Sequence, residues 1–325
     1  MRGLSTAGER LGVDCTVPRL AALLDAGTGG ELNEAPAAGN TVYLEVQADH
    51  RPFGRDGWTL IGRGAWANSP RALIADACSS GFDLLVEPRG SMLHVTARYR
   101  PRPATRSANV LLASRFRLLA VQTLVHYPAL WWAASQRGRV PLHVSVTSGA
   151  NGVTMIAGPG GVGKSTMLSA GLPHGEIATA DNICACDSRT AYGLAEPLRV
   201  AGGPAGPAAP HGRREAPLPG RVRCLEPDRL VVLGRAPAGE QTTIRPLPPQ
   251  EAARALVAGT YMAGELRRFW PFAATLALAT GIGPVHPDVN GVAGTLAARL
   301  ACVEVRVAHG SQAPIGELLR MAGVA

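Results

Sequence analysis

Lysine is almost missing from this 325-residue chain: of 32 basic side chains one is lysine, Lys164, and the rest are arginine. Arginine is a wide planar fork and lysine a compact charge on a thin stem. A lone lysine in so arginine-biased a sequence therefore marks a position where only a point charge fits. Long apolar runs are also missing. Stretches such as Leu118–Val121 and Phe272–Ala279 break well short of the roughly 20 residues a membrane span requires, so no transmembrane helix is expected. Glu9, Arg10 and Asp14 interrupt any apolar core near the N-terminus, which argues against a signal peptide and for a cytoplasmic protein. The six cysteines form no CxxC pair and stand beside no histidine, which excludes a zinc site of ordinary spacing and leaves reduced thiols. Cys184 and Cys186 sit at strand spacing on one face, where they read as packing.

Aromatic residues make up 5%, and no basic run is interleaved with them, so the formal charge of +8 signals a general attraction to anions and nucleic acid is not the expected partner. A charged fraction of 17% against a hydrophobic fraction of 46% suits a globular chain, and the length suits two domains.

Residues 1 to about 40 hold one helical candidate, Val17–Leu24, and a loose connector. Strand-like segments follow at Val42–Gln47, Trp58–Ile61, Phe82–Glu87 and Met92–Tyr99, with a helix at Pro70–Ala77. Residues 1–105 are accordingly read as a β-rich N-terminal domain. Pro101 and Pro103 punctuate the chain, and Leu111–Gln136 has helical spacing that Pro128 should kink or divide as it leads into a second domain, 106–325. There, strands are expected at Leu142–Val146, Val153–Ala157, Glu176–Ala180, Arg229–Leu233 and Val303–Val307. Helices are expected at Ser165–Ala170 and over Pro248–Leu278, the latter interrupted at Pro271. The Gly-, Pro- and Ala-rich segment 201–220 reads as a mobile loop.

The chemistry concentrates at Gly158, Pro159, Gly160, Gly161, Val162, Gly163, Lys164, Ser165 and Thr166, a GxxxxGK[ST] pattern between an expected strand and an expected helix. A loop that wraps a triphosphate must bring backbone N–H groups close to oxygens, and side chains would obstruct it; hence the glycines. Lys164 can then reach the β and γ oxygens, and Ser165 can offer its hydroxyl to Mg²⁺, at the positive end of the following helix. ATP and Mg²⁺ are the expected cofactors. No LSGGQ-like segment is present, no NKxD motif can exist with the one lysine elsewhere, and Pro159 stands where a KGGxGK loop would begin with lysine, so three P-loop classes drop out.

Three segments together, Pro141-Leu-His143, Ile156 to Thr166, and Ile177-Ala-Thr-Ala-Asp181-Asn182, resemble the HPr kinase/phosphorylase-like family, whose P-loop domain is related to that of phosphoenolpyruvate carboxykinase. The resemblance covers about residues 108–200; the N-terminal β-rich segment and the C-terminal helices fit its looser, kinase-like branch in outline. It implies an α/β P-loop kinase domain with a smaller β-rich N-terminal domain. It further implies an acidic pair after the strand, one carboxylate taking the proton from the attacking hydroxyl and the other helping with the metal. Asp181 matches the first position as base and metal partner, while Asn182 stands at the second. His143 matches a histidine held near the phosphates. The family's metal-binding glutamate has a counterpart only in Glu196, within Tyr192–Arg199 and at a shorter distance, where it reads as a surface carboxylate. Arg213, Arg214 and Arg245 could clamp phosphate or substrate, but among 31 arginines a solvated role is the better reading for each.

The expectation is an ATP- and Mg²⁺-dependent phosphotransferase acting on an alcohol hydroxyl of a small metabolite or of a peptide or protein serine, in a specialised biosynthetic or modification step. Lys164, Asp181 and His143 would be its catalytic residues. The rival reading is a P-loop NTPase that serves as a regulatory or assembly switch; a nucleic-acid-directed ATPase has only the net charge in its favour. Homo-oligomerisation is left open.

Overall fold

The computed structural model describes residues 1–34, 39–201, 212–311, 313–321 and 323. Its contacts divide the chain into two compact units, one built from Met1–Gly138 with Arg268–Pro287 and the other from the rest of the described chain. Each mixes strands with helices.

In the first unit the strands are β1 (Arg2–Thr6), β2 (Glu9–Cys15), β3 (Asn33–Glu34), β4 (Val42–Gln47), β5 (Thr59–Gly62), β6 (Ala65–Asn68), β7 (Arg71–Ile74), β8 (Phe82–Arg89) and β9 (Met92–Tyr99). They form one sheet in the order β3-β1-β2-β4-β9-β8-β7-β6-β5. The β1–β2 hairpin turns at Ala7 and Gly8, both at positive φ, as a two-residue turn between right-twisted strands requires. β2 and β4 are parallel, so the chain needs a crossover, and helix α1 (Pro18–Gly27) lies in it. Val42, Leu44 and Val46 alternate inward along β4 and are fully buried. Burial of this kind stabilises by about 1.5–3 kcal/mol per side chain.

Helices α2 (Pro103–Leu111), α3 (Ala113–Val121) and α4 (Tyr127–Arg137) belong to this unit, and with them α7 (Phe269–Thr280) from far along the chain. The boundary thus falls at Gly138 and not near residue 105. The reason is packing: α3 meets α1, α4 meets β2 and β4, and α7 lies on β5, β6 and β7. Trp131 and Trp132 are almost wholly buried, and the Tyr127 ring stands 5.7 Å from Phe269 and 5.8 Å from Phe272. The division expected at Pro128 is present in a specific form. A π turn, Gln122–His126, widens the helix just ahead of it, so the missing proline N–H falls in the first turn of α4. The helix expected over Pro70–Ala77 is instead β7 followed by a 3₁₀ turn, Ala77–Ser79, because β6 and β8 on either side supply ladder partners that outweigh local helix propensity.

The second unit carries β10 (Val140–Leu142), β11 (Val144–Gly149), β12 (Gly152–Ala157), β13 (Ile177–Ala180), β14 (Cys184–Cys186), β15 (Ala191–Gly193), β16 (Leu198–Ala201), β17 (Arg213–Ala216), β18 (Cys224–Leu225), β19 (Arg229–Arg235), β20 (Thr243–Pro246) and β21 (Ala301–Val307). Its helices are α5 (Lys164–Gly171), α6 (Pro249–Tyr261), α8 (Val289–Arg299) and α9 (Ile315–Met321). The central sheet has the order β13-β11-β12-β19-β21-β20. β12 pairs in parallel with β19, and β19 with β21; Ile156, Val231, Val303 and Val305 share one face and pack with Met167 of α5 and Ile315, Leu318 and Leu319 of α9. α6 lies along β12, β19 and β21 and packs on α8. The segment expected as a loop over 201–220 contributes β17, paired with β16; its residues 202–211 lie outside the described residues. Cys184 and Cys186 are buried and free in β14, as packing residues.

Register decides where function can sit. Val144 of β11 pairs with Ala157 of β12, and Val146 pairs with Ala180 of β13. β11 is antiparallel to both neighbours, so its beginning and their two ends share one edge of the sheet. A smaller contact ties that edge down. A Cβ on Gly193 of β15 would stand 1.9 Å from the Thr179 carbonyl oxygen, and the Gly193 N–H donates to Thr179 Oγ1 at 2.9 Å. Gly193→Ala is expected to cost at least about 2 kcal/mol by overpacking, read from the denaturant midpoint. An unchanged midpoint would contradict this close approach of β15 to β13.

Candidate functional site

Three segments that the sequence pattern singles out meet at the shared edge: His143 immediately before β11, the glycine loop immediately after β12, and Asp181 immediately after β13. Open α/β sheets bind ligands outside the carboxyl ends of their strands.

The loop conforms to its glycines. Gly158 has φ of 149°, and a Cβ there would lie 2.8 Å from the Leu233 carbonyl oxygen, so the chain turns off β12 only without a side chain. Gly163, at φ 119°, begins α5, and a Cβ on Gly160, Gly161 or Gly163 would meet nothing. These three glycines thus face open space. Lys164 is 5% exposed, and its Nζ donates to the carbonyls of Gly158 at 2.9 Å and Pro159 at 3.3 Å. The lysine folds back over its own loop. Burial pushes its pKa down to about 8, with the Arg213 charge in the same direction and Asp181 and Glu265 opposing. Arg235, at the end of β19, donates to the Gly161 carbonyl at 3.0 Å.

Asp181 is 2% exposed. Its Oδ2 accepts from the Arg199 backbone N–H at 3.1 Å, and Ser165 lies near enough to lower the carboxyl's pKa. Its Oδ1 has no hydrogen-bond partner. An unpartnered, buried carboxylate oxygen is costly, so such atoms mark places where something else is meant to bind. Burial raises the Asp181 pKa, opposed by Ser165, by the Arg199 backbone hydrogen bond and by the Arg199 and Lys164 charges.

One expectation is corrected. Glu196 is not a surface carboxylate: it is 3% exposed, and Arg199 Nη2 donates to its Oε2 at 3.0 Å. Burial raises its pKa to about 7, opposed by Arg199 and assisted by the charges of Asp181 and Glu265. The second acidic side chain thus arrives from the segment before β16, while Asn182 turns to His143, whose Nε2 lies 2.9 Å from Asn182 Oδ1. Arg245, exposed on edge strand β20 and paired with Glu304, agrees with the solvated reading. Arg213 is close enough to act electrostatically on Lys164, and Arg214 is exposed on the same strand.

Sequence reasoning passes over Glu265 entirely. This carboxylate follows α6, lies 3.9 Å from Arg199 Nη1, and influences both His143 and Lys164. No motif surrounds it; only the position of α6 against the sheet brings it in. A cavity of about 290 Å³ opens at the opposite edge of the sheet, near the Gly149–Gly152 turn, lined by Thr147, Asn151, His174, Glu176 and Arg320 among others, and shares no residue with the loop.

The Glu196 pKa has a consequence for stability. Its folded value, about 7, lies above the ordinary 4.5, so the native state holds the extra proton between those values. Stability from this group is present below pH 4.5 and is lost as pH rises to 7, by on the order of 3 kcal/mol. Glu196→Gln is expected to flatten that part of the stability–pH curve, measured by denaturation at pH 5 and pH 8; equal slopes in variant and wild type would contradict its burial as a titrating acid.

Compared with known proteins, the sequence matches no family model and no curated protein.

Proposed function

We propose that the second unit is an ATP- and Mg²⁺-dependent kinase of the HPr kinase-like type, transferring the γ-phosphoryl group to an alcohol hydroxyl of a small metabolite or of a peptide or protein serine. The observation that carries this reading is Asp181 itself, a buried carboxylate with a free oxygen directly after the strand beside the loop, near enough to Ser165 and Lys164 for both to lower its pKa.

The residues fit the two cofactors. The backbone N–H groups of Gly160–Gly163 at the start of α5 suit a triphosphate, whose oxygens would replace the Gly158 and Pro159 carbonyls as partners of Lys164. Ser165 and Asp181 would hold Mg²⁺. Among the described residues no three His, Cys, Asp or Glu side chains cluster as a metal cage, and magnesium is characteristically held by one or two carboxylates with phosphates and water. Magnesium would supply neutralisation of charge on the transferring phosphoryl group.

The protein's part is positioning and a proton. Asp181 sits where a raised pKa favours accepting the proton of an incoming hydroxyl. Arg199 orients it through its backbone N–H, and Lys164 neutralises developing charge on the phosphoryl oxygens. Glu196, buried beside them, answers the absence of a carboxylate at position 182 and weighs toward transfer over a switch that only binds nucleotide.

Asp181→Ala is expected to reduce phosphoryl transfer by about 100-fold or more while leaving ATP affinity within a few-fold of wild type. Lys164→Arg should weaken ATP binding about tenfold or more, since the planar fork does not fit the buried stem's path. Calorimetric titration and single-turnover transfer measure the two. Normal transfer in Asp181→Ala would remove the proposed base, and unaltered binding in Lys164→Arg would remove the phosphate cradle.

A further inference from the structure

No residue of α2 is buried, although the helix runs nine residues from Pro103 to Leu111. Its N-cap Arg102 makes no side-chain bond to it, and Thr105, Ser107, Asn109 and Val110 are weak helix formers. A helix this short does not persist on propensity alone. One side is tied down: Asn109 Nδ2 donates to the Ser80 carbonyl at 3.2 Å and to Tyr99 Oη at 3.1 Å, and Thr105, one turn back on the same side, is half-buried. The other side is bare. Arg106 and Val110 lie there one turn apart, with Ser107 and Leu111 beside them. Val110 is 74% exposed, Leu111 81% and Leu112 48%. A single exposed leucine is ordinary, whereas three consecutive aliphatic side chains at one helix end form a patch.

The chain bends by 109° between α2 and α3, so α3 runs inward to its buried residues Leu119, Ala120 and Val121 while α2 stays outside. Both helices line a cleft of about 300 Å³, walled by Ala104, Ala108, Leu112, Phe116 and Leu119, with Arg115 also on its lining. Leu112 belongs to patch and cleft alike, so apolar surface continues from the helix end into the protein. Arg102, Arg106 and Arg115 are exposed around this surface, and between Glu87 and Glu176 the sequence has no acidic residue. The carboxylates of the adjoining segment are engaged: Asp76 accepts from the Gly81 N–H at 2.8 Å, and Asp83 accepts from the Asp76 N–H at 3.0 Å and pairs with Arg100.

An apolar patch set among charges of one sign selects its occupant. A second copy docking through this face would bring the patch against itself, arginine against arginine. The complementary surface is apolar within and anionic at its rim, which describes the boundary between headgroups and acyl chains in a bilayer containing anionic lipid. Among the described residues no single helix is long and apolar enough to cross a membrane, so the contact is peripheral. We infer that α2 is a peripheral membrane anchor: Val110, Leu111 and Leu112 enter the acyl boundary of an anionic bilayer while Arg102, Arg106 and Arg115 meet the lipid phosphates. Such anchoring does not depend on phosphoryl transfer by the second unit.

Full-length protein is sedimented with vesicles of phosphatidylcholine containing phosphatidylglycerol, and with vesicles of phosphatidylcholine alone. Binding is expected to the first only, weakening as salt rises. The double substitution Val110→Ser, Leu111→Ser leaves the charge unchanged and alters no buried residue. It should keep the wild-type melting temperature and lower the affinity for the anionic vesicles by at least about tenfold. Arg106→Gln should lower that affinity about fivefold. A general attraction of a chain of charge +8 to anions would be left unmoved by the double substitution, which separates the two causes. No binding to either vesicle, equal binding to both, or an unchanged affinity in the double variant overturns the inference. So does a concentration-dependent dimer, formed without lipid, that the double substitution abolishes, because it assigns the patch to a second copy of the chain.

Discussion

A lysine ammonium taken out of water is expensive, and the second unit is arranged around one. Lys164 is 5% exposed, held by two carbonyls of its own loop and balanced at longer range by Asp181 and Glu265. The glycine that turns the chain off β12, the strand order that brings β11, β12 and β13 to one edge, and the carboxylates after β13 and α6 all serve to keep that charge both buried and available. An ammonium is narrower than a guanidinium fork, and a chain with arginine nearly everywhere else has its one lysine at this buried position.

The buried polar cluster is also where local preferences conflict. Asp181 Oδ1, Glu196 Oε1 and Arg199 Nε lack hydrogen-bond partners although each is enclosed. Glu196 and Arg199 pair closely, and the Asn182 amide nitrogen, beside the His143 contact, is buried without a partner. Unsatisfied groups of this kind are destabilising in a fold and useful in a site, where a ligand or a proton supplies the missing partner.

The sequence made the phosphate loop legible because its chemistry is local: backbone, lysine and hydroxyl all lie within nine consecutive residues, Gly158–Thr166. His143 and Asp181 were legible too, since each adjoins a strand whose apolar run is plain. Glu196 and Glu265 were not. Glu196 looks like an ordinary carboxylate in the sequence, whereas the fold buries it against Arg199, and Glu265 depends on where α6 ends against the sheet. The same limit explains the N-terminal half. The alternating run of β4 announced itself, but the β1–β2 hairpin depends on a turn at Ala7 and Gly8 that composition does not distinguish. The assignment of α2–α4 to the first unit depends on what their apolar faces meet.

The most direct test of the account is ³¹P NMR of the purified protein with ATP and Mg²⁺, with and without a pool of hydroxylated metabolites and serine-containing peptides. The account predicts a new phosphomonoester resonance that grows with ADP only when an acceptor pool is present, and its identity names the acceptor class. ADP with inorganic phosphate alone, or no change in the ATP resonances with any pool, would contradict phosphoryl transfer to a hydroxyl.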